Sequence, residues 1–387
     1  MAPNKIQQSS MLSLLGVLVM IQLAGAAGTD SADRSLIVNG LIQTIQSVGP
    51  EGTGHAPAIR AVGELQQADV SVLPDIVKAF DDASPLAANW LRGSFEAIAD
   101  RATKSGKPLP VVELEKLVRD IGRNPRARRL TYEWLLKADP ELPERMLAQF
   151  LEDPSPEFRR DAVARLLNRA ATHVSEEKNS EAIDTYRDAL RGAVDNDQVE
   201  EIVAALETLG ETVDLQRHFG YLTSWHLIGP FENLGRKGFD ATYPPEKVVD
   251  HSATYDGQLG PVQWQSVTTH DDYGLINIAE QFEDYKGSAM YAQTEFVSEK
   301  DQEIVLRLST PNAWKLWLNG KLLFAREEYH RGTRLDQYRI PTELQRGTNM
   351  ILLKVLQNEQ MQNFAQRYEF RLRVCDATGS AVASHRD

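Results

Sequence analysis

Near Leu215 the spacing of apolar residues changes from a helical three-to-four to strict alternation, so this chain must build two kinds of structure. The aromatic residues report the same change. Of 29, eight lie between Phe80 and Tyr186 and twenty-one between Phe219 and Phe370. The first half is rich in Ala, Leu, Arg and Glu, which favour helix. The second brings Trp, Tyr, Phe and Val between closely spaced glycine turns, which favours short strands. Helices are therefore expected before residue 215 and an antiparallel β-sandwich after it. A length of 387 residues leaves room for both cores.

Charge narrows the partners. Lys plus Arg number 42 against 55 for Asp plus Glu, and the net charge of -13 has the wrong sign for gripping phosphate backbones or anionic lipid. Nucleic acid is not an expected partner. Residues 1–26 read as a signal peptide: Lys5 precedes a mostly apolar run over 11–23, which ends in the small-x-small pattern Ala24-Gly25-Ala26. That run is short for a spanning helix, so export to the periplasm or the extracellular space is expected, with the membrane met only in transit. Residues 27–52 then read as a linker, 53–214 as an α-helical repeat domain and 215–387 as the β-sandwich domain. Cys375 is the single thiol and forms no disulfide within the chain, so the cores alone must hold the fold. It falls on the strand face of Arg371 and Arg373, either free or pairing between chains.

The helical half carries a repeat. A capping residue stands directly before proline at Ser84-Pro85, Asn124-Pro125, Asp139-Pro140 and Ser155-Pro156, the arrangement expected where proline takes the first helical position. The last three starts define a unit of about 31 residues, two short helices, with Asn124-Pro125-Arg126-Ala127-Arg128-Arg129 aligning on Ser155-Pro156-Glu157-Phe158-Arg159-Arg160. After Pro156, the residues Ala162, Val163, Leu166, Leu167 and Ala170 form one apolar stripe. Stacked pairs of this length predict an α-solenoid, because each unit buries its apolar face only against its neighbours. The arginines 126, 128, 129, 159 and 160 suggest an anion site or, more simply, solvated and paired charges.

In the second half, Val262 and Trp264 oppose Gln263 and Gln265, while Tyr368, Phe370, Leu372 and Val374 oppose Glu369, Arg371 and Arg373. Asn319-Gly320 between residues 313–318 and 321–324 predicts a type I′ hairpin.

These residues carry a resemblance. The run Pro156-Glu157-Phe158-Arg159-Arg160-Asp161-Ala162-Val163 resembles short bacterial HEAT repeats, and residues 181–190 look like a tetratricopeptide (TPR) helix. The hairpin over 312–324, the turn Leu344-Gln345-Arg346-Gly347 and residues 349–355 resemble the galactose-binding-like jelly roll found beside glycosidases. Trp225-His226-Leu227-Ile228-Gly229-Pro230-Phe231 and Tyr243-Pro244-Pro245-Glu246 look like segments of secreted bacterial proteins that join helical repeats to such a sandwich. The resemblance implies architecture and export, and it brings no catalytic residue with it.

Chemistry is sought in the loops. The segment 326–335 holds Glu327, Glu328 and His330, with Asp336 and Tyr338 close behind. A glycosidase needs two carboxyl groups facing one bond, whereas Glu327 and Glu328 as strand neighbours point apart. Glu328 with Asp336 is a geometrically allowed pair, though nearby Arg326, Arg331 and Arg334 are equally natural partners. The histidines have no metal-ligand spacing, and no P-loop, GxGxxG or GxSxG motif occurs. His270-Asp271-Asp272 and Asp256-Gly257 are oxygen-rich turns suited either to a structural calcium ion or to plain turn formation. No other cofactor is expected.

Sugar binding needs an aromatic face and a few amides or carboxylates. Alternation places Trp314, Leu316 and Leu318 on one face and Trp317 on the other, so Trp317 is the candidate platform or, alternatively, a ring packed under a loop. Gln357 and Asn358 follow a strand and offer polar contacts or simply satisfy backbone groups. The sequence thus points to a non-catalytic exported binding or scaffold protein. Its solenoid would carry protein partners, and its sandwich would bind a carbohydrate ligand or serve as an interaction module, with Trp317, Glu328, His330, Asp336, Gln357 and Asn358 as candidate ligand-binding residues. The alternative is a glycosidase or accessory hydrolase using Glu328, His330 and Asp336.

Overall fold

The computed structural model describes residues 31–283 and 285–385. The expected signal peptide and the first residues of the expected linker lie outside the described residues. Helices come first and antiparallel sheets follow. The chain forms two compact units, one ending at Ala138 and one beginning at Asp139.

The first unit contains α1 (Ser31–Gln46), α2 (His55–Leu65), α3 (Leu73–Ala79), α4 (Pro85–Lys104), α5 (Val111–Arg119) and α6 (Pro125–Ala138). Helix α1 occupies most of the stretch read as linker. Val38, Ile42 and Ile45 recur in it at helical spacing and are buried, while the neighbouring Leu36 and Ile37 stay exposed. The second unit opens with α7 (Leu142–Leu151), α8 (Pro156–Ser175), α9 (Asn179–Gly192), α10 (Asn196–Thr208) and α11 (Leu215–Phe219). The division between units therefore falls well before residue 215. Hydrogen bonds explain why these helices belong with the strands: Arg159 Nη1 donates to Ser380 Oγ, and Arg373 Nη1 donates to the Phe219 carbonyl at 3.1 Å.

Three of the four cap-proline pairs start a helix at the proline. Ser84 Oγ accepts from the Ala87 amide at 3.2 Å before α4, and Asn124 Oδ1 accepts from the Arg126 amide at 3.0 Å before α6. Helix α8 also begins at Pro156. At Asp139-Pro140 the helix starts later, at Leu142, because Asp139 Oδ1 binds the Glu141 amide in a separate turn at 3.0 Å. The 31-residue offset has a structural counterpart. Arg128 and Arg159 occupy equivalent positions, both are buried, and each donates Nε to a backbone carbonyl just upstream, Val118 at 2.8 Å and Asp153 at 3.2 Å. Arg129 pairs with Glu133, and Arg160 with Asp195 and Asp197. These four arginines are structural and paired.

The strands are β1 (Ser224–Glu232), β2 (Thr254–Gly257), β3 (Gly260–Gln263), β4 (Gln265–Thr268), β5 (Ile276–Asn277), β6 (Ser288–Ser298), β7 (Gln302–Ser309), β8 (Ala313–Leu318), β9 (Lys321–Arg326), β10 (Tyr338–Leu344), β11 (Gly347–Gln357) and β12 (Glu369–Cys375). A six-stranded sheet runs β4-β1-β6-β11-β8-β9 and a four-stranded sheet β10-β7-β12-β5, while β2 and β3 form a small ribbon. Asn319 and Gly320 both take positive φ, 51° and 79°, as the I′ turn requires. One apolar cluster draws on both larger sheets, with Trp225, Trp314, Leu316 and Val355 from the first and Leu306, Phe370, Leu372 and Val374 from the second. A second cluster covers the outer face of the six-stranded sheet, where Phe239, Tyr243 and Trp264 from the 233–264 segment pack on Ile228, Tyr291, Trp317 and Leu352. Among the described residues no helix is long and apolar enough to cross a membrane.

Candidate binding site

The loops after β1, β9 and β11 converge on one cluster, and the buried amide of Gln357 builds it. At the end of β11, Gln357 Nε2 donates to the carbonyls of Ala365 and Arg367 at 3.0 and 3.1 Å, turning the 358–367 loop back on the strand. Its Oε1 accepts from Asn312 Nδ2 at 3.4 Å. Asn233, after β1, donates Nδ2 to the Gln357 carbonyl at 2.9 Å and to Tyr329 Oη at 3.2 Å. Next in sequence, Asn358 is almost fully buried. Its Oδ1 lies 2.6 Å from His330 Nε2 and accepts from the Gln360 amide at 3.1 Å. An acceptor there places a proton on His330 Nε2.

This frame holds one aromatic ring out in water. Phe364, in a short 3-10 turn over Asn363–Ala365, is 64% exposed, and the His330 ring meets it edge-on with centroids 5.8 Å apart. Met361 beside it is exposed too. Gln366 Nε2 donates to the carbonyls of Met361 and Gln362 at 2.7 and 3.0 Å, which stiffens the turn that presents the ring. Chemically the arrangement presents an exposed apolar face beside an imidazole on an amide-rich loop, suited to a ligand with one apolar face and many hydroxyls.

The structure brings His330, Gln357 and Asn358 together and places the other three candidates elsewhere. Trp317 is 8% exposed and lies in the second apolar cluster, because the covering segment packs over it, so its ring offers no open face. Glu328 is clamped by Arg326 and Arg331, which hold its carboxyl down at about 2. Asp336 lies between Arg307 and Arg373, at 2.6 Å and 2.5 Å. Burial raises its carboxyl, but the two guanidinium groups outweigh this and hold it below the usual range. Glu328, His330 and Asp336 thus answer to separate partners. Both carboxyls stay ionised at neutral pH, the wrong state for the proton donor of glycoside cleavage.

Phe364 was the residue that alternation could not find. Its signal was compositional: one aromatic inside the amide-rich stretch Gln357, Asn358, Gln360, Gln362, Asn363 and Gln366. At the oxygen-rich turn, Asp271 Oδ1 accepts from the Tyr273 and Leu275 amides at 3.0 Å each. Among the described residues no group of three or more His, Cys, Asp or Glu side chains is arranged to hold a metal ion.

No protein family and no curated protein matches the chain in sequence. Among solved structures, a β-glucosidase from Kluyveromyces marxianus in complex with glucose aligns at 11% identity and a TM-score of 0.24, covering 36% of this chain and 17% of that one. A GH31 α-xylosidase from Xanthomonas citri aligns at 11% identity and a TM-score of 0.18, covering 40% of this chain and 16% of that one. The chain thus spans about a sixth of the length of these enzymes, and at such scores the likeness carries no argument about fold or activity.

Proposed function

We propose that this is a non-catalytic exported binding protein whose β-structured part recognises carbohydrate through the Phe364 platform. In this reading the helices form an α-solenoid of HEAT- and TPR-like pairs that carries protein partners, and the two larger sheets form a jelly-roll sandwich. Export rests on the character of residues 1–26. The solenoid is supported by the equivalent buried arginines Arg128 and Arg159, and the sandwich by the apolar cluster common to both sheets. One observation carries the carbohydrate reading: the Phe364 ring is 64% exposed yet meets the His330 ring edge-on, on a loop rich in amide side chains. An aromatic ring exposed to water gains most when an apolar face, such as that of a pyranose, is laid on it.

Isothermal titration of the full chain against soluble polysaccharides and oligosaccharides tests this. Saturable binding that Phe364→Ala abolishes is the expected result. Silence across the panel, or binding that the substitution leaves intact, overturns it.

A further inference from the structure

The outer face of the six-stranded sheet holds a concavity toward its β4 edge, away from Phe364. Strand register sets Ser266, His226, Gln293, Leu352 and Trp317 in one row across β4, β1, β6, β11 and β8. The row is apolar and covered at Leu352 and Trp317, then turns polar. There a recess of about 290 Å³ opens, lined by Ser224, His226, His251, Ser266, Gln293 and Glu295. His251 reaches over from the covering segment and stacks on His226, with centroids 4.1 Å apart and planes 15° from parallel.

Gln293 is the telling residue. It is 1% exposed, its Oε1 sits 2.9 Å from His251 Nε2, and its Nε2 has no hydrogen-bond partner. A buried amide donor without an acceptor is costly, so its place is explained by an oxygen that arrives from outside. His251 is exposed, so swinging its ring aside opens the way to that amide.

The lining selects the class of ligand. Nearly parallel rings cannot aim their in-plane lone pairs at one ion, so the histidine pair is unsuited to chelating a metal. Glu295 also lines the recess, and its negative charge disfavours anions. The Gln293 amide donates, while the Ser224 and Ser266 hydroxyls donate or accept, a mixture that ligand hydroxyls satisfy from both sides. The volume suits one six-membered ring and not a chain. We propose that this recess binds a single neutral pyranose-sized polyol, one of whose hydroxyl oxygens accepts from Gln293 Nε2. The site shares a ligand class with the Phe364 platform but no residue, so either can fail alone.

The test is nuclear magnetic resonance on the 15N-labelled full chain, following the Gln293 side-chain amide pair. Its signals are identified by their loss in Gln293→Glu, or in Gln293→Leu where the first variant does not fold. Glucose, galactose, mannose and N-acetylglucosamine are added singly, then acetate and phosphate at the same concentrations. Saturable shifts of this pair with at least one sugar and with neither anion are expected, unchanged in Phe364→Ala. By calorimetry, Gln293→Leu should weaken that sugar about tenfold or more. An unmoved amide pair, a response to the anions alone, or a sugar response that disappears with Phe364→Ala would overturn the proposal. The last outcome would leave the platform reading standing.

Discussion

Lys354 Nζ lies 2.8 Å from Glu246 Oε1 and 2.7 Å from the Ala241 carbonyl, with the lysine side chain wholly removed from water. Lys354 stands on β11, whereas Glu246 and Ala241 belong to the segment that covers the sheet, so this ion pair pins the cover to the strands. Tyr291 donates its hydroxyl to the same Glu246 oxygen, and the Tyr243 ring lies 5.1 Å from the ammonium. Removing one member strands the other as a buried charge. Glu246→Gln should therefore cost about 3 kcal/mol in chemical denaturation. Combining it with Lys354→Met should return most of that loss. A single variant as stable as the parent would mean that the cover is held by its aromatic packing alone.

Asp336 makes a comparable prediction with a pH signature. Its folded carboxyl titrates below the ordinary aspartate value, so its contribution is complete above that value, about 3.9, and is lost as pH falls through the folded one. Asp336→Asn leaves Arg307 and Arg373 without their carboxylate and should cost about 3 kcal/mol at neutral pH. The loss should shrink as the parent is acidified. Denaturation midpoints of the two proteins, followed from pH 6 to pH 2, should therefore converge. Parallel curves would assign the acid sensitivity to other carboxyls.

How much could be read beforehand depended on whether the signal was local. The Asn319-Gly320 turn is written in two adjacent residues, and its positive φ angles follow from them directly. The alternation of Tyr368, Phe370, Leu372 and Val374 likewise ends in complete burial of all four. Asp336 was unreadable because its partners lie 29 and 37 residues away, on strands whose neighbourhood only the sheet order defines. Helix α1 is hard to read because its apolar residues do not keep to one stripe: Val38, Ile42 and Ile45 are buried, whereas Leu36 and Ile37 beside them are exposed. The assignment of Trp317 to the face opposite Trp314 holds, but alternation cannot say that the far face has a cover of its own.

Trp317 and Phe364 should consequently differ sharply in their response to the same substitution. Trp317 is enclosed by the second apolar cluster, so Trp317→Ala opens a cavity and should cost about 3 to 5 kcal/mol. Phe364→Ala removes an exposed ring and should change stability by less than about 0.5 kcal/mol. Urea titration of both variants, read by circular dichroism, separates the roles. A large loss of stability in Phe364→Ala would make that ring part of the fold and not a platform.

Cys375 closes β12 on the outward side of the strand, yet it is fully buried, because Ala381 of the following turn pairs with it across an isolated bridge. Burial pushes its thiol up to about 11, so at pH 8 about one molecule in a thousand carries the reactive thiolate. Both effects predict that an aromatic disulfide reagent such as 5,5′-dithiobis(2-nitrobenzoic acid) labels nothing in the native protein and one thiol per chain after denaturant is added. Between these limits the labelling rate should follow the opening of the 375–381 turn, since a buried thiol reacts only from states that expose it. Rapid labelling without denaturant would mean that this turn opens readily in the native state, and a thiol so exposed would then be available to pair between chains.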